Sequence, residues 1–577
     1  MTAMDTYKFW LKNVTPSEKA ELMTMNDAEI TDAFSGPLSF GTAGMRGIVG
    51  AGTFRMNVYT VRAATAGVAE FLVGLGKEAM SRGVVISYDT RRFSKEFARA
   101  TAAVFAAYGV KTYIFEDVRP VPMCSFAIRH LNAAAGVMIT ASHNPKEYNG
   151  YKLYGEDGAQ MSPENTAEVV KFIEKIDNPF TVKSEIFPET TIEGRDEYQL
   201  TENIRVIGKT VDEEYYKEIV KLALSPKEVA EYGKKLKLVY TPVHGAGFKP
   251  VTEILSRLGI NATLVAEQAE PDTEFSTVPV PNPESASTLQ MGMELADKIH
   301  ADVVIGTDPD CDRMGVAVRD SEGKFRLLTG NQIGVLLLDY VASKLKENGD
   351  MPKNAAAVRS FVSTTLADKV AEYYGVKSVS VPTGFKFIGE KIKEWEANGE
   401  HTYIFGFEES FGSLRGTHAR DKDAVVASML FSEFCCFLMS KGESVYGRLV
   451  EIFKRFGWYT ELNKTVQYKG FNAMTEMSAV LDKLRKEKVE TLGGYDVVWT
   501  ADYLSGKKVY ADGTVGETGI AKNNTIMYGL PDGRFACVRP SGTEPKLKLY
   551  ALSFADGEKE SLESAGNVIS GLEKLLG

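Results

Sequence analysis

The chain has 577 residues, which predicts about four domains at roughly 150 residues each. Its composition, 44% hydrophobic and 25% charged, is ordinary for a globular protein and leaves ample chain to bury several cores. The formal net charge of -10 disfavours non-specific binding to nucleic acid or to anionic membranes, so basic groups at any phosphate site must be local.

The cysteines and the amino terminus indicate the compartment. Five cysteines are scattered without a CxxC pair, which argues against a disulfide framework and against a zinc site. The first residues lack the apolar core of a signal peptide, and no run of about 18 apolar residues suggests a membrane span. We predict a cytoplasmic protein with neither a nucleic-acid nor a membrane partner.

The predicted elements alternate along most of the chain. Residues 15–32 are predicted to be helical, and three glycines between 41 and 47 interrupt that pattern. Strands then alternate with helices, which is typical of βαβ sheets. The pattern restarts near 237 and again near 336, whereas the last ~110 residues predict a smaller α+β domain.

The first candidate site is Thr-Ala-Ser-His-Asn-Pro at 140–145, directly after the apolar run 133–139, which is predicted to be a buried strand. Because α/β sheets bind ligands at the carboxyl ends of their strands, Ser142 is a candidate nucleophile or phosphoryl carrier. A serine that caps a helix or closes a turn explains the same residues, so the rest of the sequence must decide.

The second candidate site is Gly-Thr-Asp-Pro-Asp-Cys-Asp-Arg at 306–313, after another predicted strand. Asp308, Asp310 and Asp312 repel one another unless a cation neutralises them, so a divalent metal is their natural partner. The loop is not an EF-hand, because arginines occupy the positions of the required Gly and Glu. A solvated acidic turn is the alternative.

Two polar segments follow in the third predicted unit. Gly-Phe-Glu-Glu-Ser-Phe-Gly at 406–412 offers carboxylates and a hydroxyl to sugar hydroxyls, although an ordinary helix-capping sequence has the same residues. The segment 415–423 is dense in titratable groups. His418 or Lys422 can serve in acid/base catalysis there, and a charged surface loop is the alternative.

The last candidate site is Arg-Pro-Ser-Gly-Thr-Glu-Pro-Lys at 539–546. Its backbone N–H groups and flanking cations can cradle a phosphate, while a polar turn between two strands is the alternative. The Walker pattern GxxxxGK[ST] is absent from the sequence. Pro-Thr-Gly-Phe-Lys at 382–386 is a weaker candidate for a ligand contact.

Taken together and in this order, the four loops resemble the motifs of the α-D-phosphohexomutase superfamily, in its phosphoglucomutase branch. The resemblance extends over essentially the whole chain. It implies an α/β fold of three related α/β domains with mixed sheets plus a smaller C-terminal α+β domain around a central cleft. The domain bounds we expect are 1–205 with the phosphoserine loop, 206–325 with the metal loop, 326–455 with the sugar loop and 456–577 with the phosphate loop.

The resemblance also implies a role for each matching residue. Ser142 matches the serine that carries the phosphoryl group, and it joins three aspartates in holding Mg²⁺. The implied metal ligands are Ser142, Asp308, Asp310 and Asp312. The implied catalytic residues are Ser142, Arg46, Lys152, His143, Lys422 and His418, with either of the last two as the proton-transfer group. The implied substrate contacts are Thr383, Gly384, Glu408, Ser410, Arg539, Ser541, Gly542 and Thr543.

The implied reaction interconverts glucose 1-phosphate and glucose 6-phosphate. Phosphoserine donates its phosphoryl group, glucose 1,6-bisphosphate forms and turns end for end, and its other phosphate returns to the serine. Glu-Glu-Ser in the sugar loop favours glucose phosphates, whereas the inserted-looking Phe407 resembles the phosphopentomutase-like branch. Ribose phosphates, dual action on mannose phosphates, a phosphatase and a silent sugar-phosphate-binding protein are the alternatives. The sequence leaves monomer or dimer open.

Overall fold

The computed structural model of the chain describes residues 2–41, 44–188, 192–194, 197–468, 473–541 and 546–576. The chain folds into two compact units. The first comprises Met1–Arg319, Phe325–Leu328 and Gly412–Ser440, and the second comprises Asp320–Lys324, Thr329–Phe411 and Lys441–Gly577.

Three short helices open the first unit, at Ala3–Asn13, Pro16–Met23 and Asp27–Ala33. Each begins with a capping box, in which the N-cap side chain and the side chain three residues later bond each other's backbone N–H. The prediction of one helical segment over 15–32 is therefore corrected to two helices. The helix Asp27–Ala33 begins separately because the Asn26 side chain accepts hydrogen bonds from the backbone amides of Ala28 and Glu29.

A mixed sheet follows in the first unit, and it confirms the predicted βαβ alternation. Its central strands are parallel and buried along their whole length, as strands covered by helices on both faces should be. In spatial order the strands are Gly44–Ile48, Tyr148–Gly155, Ala135–Ile139, Val84–Tyr88, Thr112–Phe115, Ile204–Ile207 and Tyr198–Gln199. The accompanying helices are Val58–Leu75, Lys77–Arg82, Ser94–Ala107, Val121–His130 and Pro163–Ile173, with a 3₁₀ turn at Pro179–Thr181.

The edge strand Gly44–Ile48 was not predicted, because its glycines indicated a chain break. Gly44 has φ +146°, and a Cβ there would lie 2.0 Å from the carbonyl oxygen of Tyr151. Glycine is thus required by the close approach of the neighbouring strand. This strand carries Arg46 to the sheet edge beside Tyr148–Gly155.

A second sheet in the first unit carries the acidic loop. In spatial order its strands are Phe325–Leu327, Met314–Arg319, Val303–Thr307, Leu238–Thr241 and Ala262–Leu264. Val303–Thr307 runs parallel to Leu238–Thr241 and antiparallel to Met314–Arg319, so residues 308–313 connect two adjacent strands. The helices here are Lys209–Val220, Pro226–Tyr232, Phe248–Leu258 and Ala286–Ile299, with a 3₁₀ turn at Ala266–Gln268.

The strand Ser413–Leu414 and the helix Ala424–Lys441 end the first unit's part of the chain. Two described helices, Val58–Leu75 and Ala424–Lys441, have the length and hydropathy that a membrane span needs, which corrects the expectation that no segment would. The shares of these two helices that are buried within the protein are 50% and 83%, and buried core helices meet the same criteria.

The second unit begins with a parallel α/β sheet. Its strands Lys377–Val381, Ala355–Ser360 and Thr402–Phe407 lie in that order. The flanking helices are Gly330–Asn348, Leu366–Tyr374, Phe385–Asn398 and Val445–Phe456. The sheet thus ends at Val381 and Phe407, immediately before the two segments predicted to contact the substrate.

The C-terminal part of the second unit is dominated by one antiparallel sheet. Its strands, in spatial order, are Trp458–Gln467, Lys546–Ala555, Phe535–Pro540, Ile526–Gly529, Trp499–Asp502, Lys507–Tyr510 and Val515–Glu517. A hairpin at Thr491–Leu492 and Tyr495–Asp496, the helices Ala473–Lys486 and Glu558–Leu576, and a 3₁₀ turn at Pro531–Gly533 complete it. Three α/β regions, of which the first two have mixed sheets, and a sheet-rich C-terminal region confirm the predicted fold class. The domain bounds and the central cleft stay predictions.

Candidate active site

Ser142 lies just beyond the buried strand Ala135–Ile139 of the first unit, in a backbone conformation that serine seldom adopts. Its φ is +51°, in the left-handed region, and its backbone N–H donates to Thr140 Oγ1 at 2.8 Å. The side chain is buried, and Oγ donates to Asp308 Oδ2 at 2.9 Å. The loop therefore directs the hydroxyl at the acidic segment.

Asp308, Asp310 and Asp312 form one buried cluster, with a carboxylate oxygen from each lying within 4.8 Å of the others. Asp308 Oδ1 accepts the backbone N–H groups of Asp312 and Arg313 at 3.0 Å each, which fixes the loop. The Oδ1 atoms of Asp310 and Asp312 have no hydrogen-bond partner among the described residues. Three convergent carboxylates with unsatisfied oxygens are suited to a hard divalent cation.

Two lysines from different parts of the first unit lie against this cluster. Lys152 Nζ donates to Asp310 Oδ2 at 2.7 Å and to Asp312 Oδ2 at 3.3 Å. Lys422 Nζ lies 3.3 Å from Asp312 Oδ2 and 3.1 Å from Asp421 Oδ1. These cations offset part of the negative charge and are close to any phosphate that approaches the cluster.

The pKa values of the aspartates differ because their neighbours differ. Burial raises the pKa of Asp308 well above its ordinary value, and Asp310 and Asp312 raise it further. Burial alone would raise the pKa of Asp312, but Lys422 and Lys152 hold that pKa below its ordinary value. Asp312, which lies beside the lysines, therefore keeps its negative charge. A divalent cation would neutralise the negative charge that remains on the cluster.

Arg46 and His143 flank the serine loop. Arg46 is exposed on the edge strand, and its Nη1 donates to Asn144 Oδ1 at 3.0 Å. His143 Nδ1 lies 3.2 Å from Ser142 Oγ. Burial lowers the pKa of His143 well below its ordinary value, with the Arg313 and Arg46 charges acting in the same direction, so the imidazole is neutral at pH 7.

His418 lies in a different environment from Lys422, although the two are close in sequence. His418 Nε2 lies 2.8 Å from Asp423 Oδ2. Asp423 also accepts from Tyr215 and from the first amides of the helix Ala424–Lys441. The structure thus brings Lys422, and not His418, into contact with the acidic cluster. Asp421 and Asp423, which orient these two residues, were missed because the sequence gives no means of pairing charges within a dense segment.

The sugar-binding and phosphate-binding candidates lie in the second unit. Glu408 is buried after the strand Thr402–Phe407 and accepts the Gly384 N–H at 2.7 Å. Arg539 donates to Thr383 Oγ1. The structure therefore joins the 382–386 segment, which was the weaker candidate in the sequence, to both of the stronger ones.

Two hydroxyl candidates complete the description of these loops. Ser410 is partly buried two residues beyond Glu408, and the Ser541 N–H donates to the Lys546 carbonyl at 2.8 Å. Gly542 and Thr543 lie outside the described residues.

Comparison with protein-family models decides the family. Residues 37–180, 213–323 and 329–456 match the phosphoglucomutase/phosphomannomutase models of α/β/α domains I, II and III. The chain belongs to the phosphoglucomutase/phosphomannomutase family. The matches occur in chain order and include the serine loop, the acidic loop and the sugar loop, so the resemblance inferred from the motifs is confirmed.

Curated relatives and solved structures agree with this membership. A phosphoglucomutase of Staphylococcus epidermidis is 38% identical over 515 residues, covering 89% of this chain and 90% of its own length. A phosphoglucomutase of Staphylococcus aureus is 36% identical over 528 residues and 91% of each chain. In fold, the chain is similar to the open form of the Paramecium phosphoprotein pp63/parafusin, with a TM-score of 0.67, 18% identity and coverage of 94% and 95%. A Burkholderia thailandensis member of the family has a TM-score of 0.66, 18% identity and coverage of 93% and 96%.

Proposed function

We propose that the chain is a phosphoglucomutase that interconverts α-D-glucose 1-phosphate and glucose 6-phosphate through phosphorylated Ser142 and glucose 1,6-bisphosphate. The observation that supports this most directly is the hydrogen bond of 2.9 Å between Ser142 Oγ and Asp308, within a buried cluster of three carboxylates and two lysines. A structural serine needs neither the metal-binding oxygens nor the cations. The naming of relatives at 35–38% identity as phosphoglucomutases supports the substrate.

In each half-reaction one P–O bond breaks and another forms. The bond between phosphorus and Ser142 Oγ breaks as a sugar hydroxyl attacks, and the hydroxyl proton passes to a base, for which we propose Lys422 in its neutral amine form. The bisphosphate then presents its other phosphate, whose bond to the sugar oxygen breaks as Ser142 Oγ attacks the phosphorus, and the sugar oxygen takes the proton back from Lys422. Arg46 and Lys152 offset the charge that develops on the transferring oxygens, and His143 hydrogen-bonds the serine oxygen.

We propose Mg²⁺ as the metal, held by Asp308, Asp310 and Asp312 together with an oxygen on Ser142. Oxygen-only ligands and the two carboxylate oxygens without hydrogen-bond partners fit a small hard cation. When bound, Mg²⁺ supplies charge stabilisation to the transferring phosphoryl group. Cys311, although inside the loop, is buried away as a thiol whose pKa is raised well above its ordinary value by burial, so it adds no soft ligand.

We propose that the second unit selects the sugar and grips the phosphate that does not react. Glu408 and Ser410 would bond sugar hydroxyls, while Arg539, Ser541, Gly542 and Thr543 would hold the phosphate, with Thr383 and Gly384 beside them. Phe407 is buried, stacks on Phe405 and fills the space over Gly334. Its ring therefore offers no basis for a preference for ribose, and glucose remains the proposed substrate. Cytoplasmic location stays a prediction.

The test is a mutase assay on glucose 1-phosphate, mannose 1-phosphate and ribose 1-phosphate with Mg²⁺ and a trace of glucose 1,6-bisphosphate. We expect turnover of the glucose substrate to be at least about tenfold faster in kcat/KM, which corresponds to about 1.4 kcal/mol. Equal rates on ribose 1-phosphate would instead indicate a phosphopentomutase, and equal rates on mannose 1-phosphate would indicate a dual enzyme. No turnover of any substrate would indicate a binding protein.

Phosphorylation of Ser142 is tested separately by intact-mass analysis. We expect wild-type protein incubated with glucose 1,6-bisphosphate to gain one phosphoryl group, and Ser142→Ala to gain none and to lose mutase activity. Ser162→Ala is the matched control, because Ser162 caps the helix Pro163–Ile173 and its loss lowers stability only, by about 0.5–2 kcal/mol. Normal turnover by Ser142→Ala would contradict the phosphoserine mechanism.

A further inference from the structure

A buried arginine lies beneath the serine loop and is not among the residues assigned above. Arg91 follows the strand Val84–Tyr88, and its guanidinium donates to backbone carbonyls of the serine loop. Nη1 bonds the carbonyls of Pro145 at 2.9 Å and Tyr148 at 3.0 Å. Nη2 bonds the carbonyls of Ser142, at 2.5 Å, and Asn144. One side chain thus binds four carbonyls of the segment 142–148.

The guanidinium is itself fixed in orientation. Its Nε lies 3.5 Å from Asp89 Oδ2, and the side chains of Arg91 and Asp89 are both 0% exposed. Asp89 Oδ1 accepts the Arg91 N–H at 3.0 Å and the Ser94 hydroxyl at 2.7 Å. The ring of Phe275 covers the guanidinium, with 5.1 Å between Cζ and the ring centroid.

The serine loop needs such a clamp for two reasons. A left-handed residue other than glycine costs roughly 1–3 kcal/mol, and Ser142 has φ +51°. The four carbonyls also point their negative ends toward one place, which is unfavourable unless a cation lies there. Lysine cannot substitute fully, because an ammonium offers donors from a single atom whereas the guanidinium is a planar fork.

We propose that Arg91 is a positioning residue for phosphoryl transfer, whose guanidinium holds the segment 142–148 in the conformation that directs Ser142 Oγ at the acidic cluster. It contacts Ser142 through the backbone carbonyl, and in the described structure its guanidinium donates no hydrogen bond to the carboxylates of the acidic cluster. The inference deepens the proposed function and rests on it, since a hydroxyl needs such placement only if it reacts. A displacement of about 1 Å of a reacting atom costs about 100-fold in rate.

The test compares Arg91→Lys with Arg119→Lys. Arg119 is a matched control because it is also a buried arginine, which pairs with Asp212 and Glu116 at 2.7 Å each and makes no hydrogen bond to the serine loop in the described structure. We expect Arg91→Lys to lower kcat about 100-fold with KM for glucose 1-phosphate within about threefold of wild type. Arg119→Lys should lose stability and keep kcat.

Two further measurements separate positioning from general destabilisation. Hydrogen–deuterium exchange over residues 142–148 should be at least about tenfold faster in Arg91→Lys than in wild type, and unchanged in the control. Guanidinium ions at a non-denaturing concentration should raise the kcat of Arg91→Ala at least about tenfold, whereas ammonium ions at the same concentration should not.

The outcomes are separable. An inactive wild type would refute the proposed function, and the exchange measurement would still decide whether Arg91 holds the loop. An active wild type with kcat of Arg91→Lys within threefold would overturn the positioning role. A fall of kcat in the Arg119 control as large as in Arg91→Lys would overturn it as well, since buried charge in general would then explain the loss.

Discussion

Replacing Lys152 by methionine measures how much of the repulsion within the acidic cluster one ammonium offsets. Lys152 Nζ lies 2.7 Å from Asp310 and 3.3 Å from Asp312, whose side chains are 0% and 2% exposed. Lys422 Nζ at 3.3 Å and Arg313 Nε at 3.8 Å also form ion pairs with Asp312. The variant therefore leaves Asp310 without its ion pair to Lys152 and leaves Asp312 with Lys422 and Arg313.

The expected magnitude follows from burial. Removing one partner of a buried ion pair costs about 3–5 kcal/mol, and we expect the lower end because Lys152 is 22% exposed and Lys422 remains. With EDTA present, the free energy of unfolding of the variant should thus fall by about 3 kcal/mol. Mg²⁺ at 100 times its Kd should stabilise wild type by about 2.7 kcal/mol. It should stabilise the variant by about 1.4 kcal/mol more if its affinity there rises tenfold, because the ion replaces the missing charge.

The assay is urea-induced unfolding followed by circular dichroism, in EDTA and across a Mg²⁺ series. Lys171→Met is the control, since Lys171 pairs with Glu168 at the surface with 62% and 52% of their side chains exposed and should contribute less than about 0.5 kcal/mol. A loss below about 1 kcal/mol in EDTA, or an equal Mg²⁺ increment in wild type and variant, would refute the assignment of Lys152 as a counter-charge of the metal site.

Three further predictions concern other parts of the chain. Burial raises the pKa of Glu461 from 4.5 to about 7, so the folded protein retains a proton that the unfolded chain loses. The free energy of unfolding should therefore fall by at most about 3 kcal/mol as the pH rises from 4.5 to 7. Urea titrations of Glu461→Gln should show no such dependence of the unfolding free energy on pH. Gly247→Ala places a Cβ 2.7–2.9 Å from three side-chain atoms below the acidic loop and should weaken Mg²⁺ binding about tenfold by calorimetry, whereas Gly74→Ala, with nothing within 4 Å, should not. Glu433→Ala removes the acceptor of two buried backbone N–H groups and should cost about 3 kcal/mol in denaturation while leaving KM unchanged.

The sequence predicted the parts of the candidate site that depend on strand ends. Ser142 lies in the loop that follows one buried strand, and the three aspartates lie in the loop that follows another. The carboxyl ends of strands in α/β sheets are where ligands bind. Their contact in the structure agrees with that reasoning, because the hydroxyl and the carboxylates meet at hydrogen-bond distance.

Other features required long-range information that a single sequence does not contain. Arg91 also lies in a loop that follows a strand, yet its partners are backbone carbonyls more than 50 residues away, which carry no side-chain signature. The sequence offered both Lys422 and His418 as the proton-transfer group, and only the fold shows that His418 pairs with Asp423. The edge strand at Gly44 was hidden because glycine, demanded there by the close approach of Tyr151, is also the commonest sign of a turn.

The division of the chain into two units has a consequence for folding during synthesis. The first unit includes residues 412–440, the last of which the ribosome adds about 120 residues after Arg319. At about 5–20 residues per second, completing this segment takes roughly 6–24 s. For most of that time, Tyr215 and the backbone amides of Leu224 and Ser225 lack their acidic partners, Asp423 and Glu433. We therefore expect nascent chains stalled before residue 412 to bind chaperones and to be digested by protease, and chains released after residue 440 to resist it.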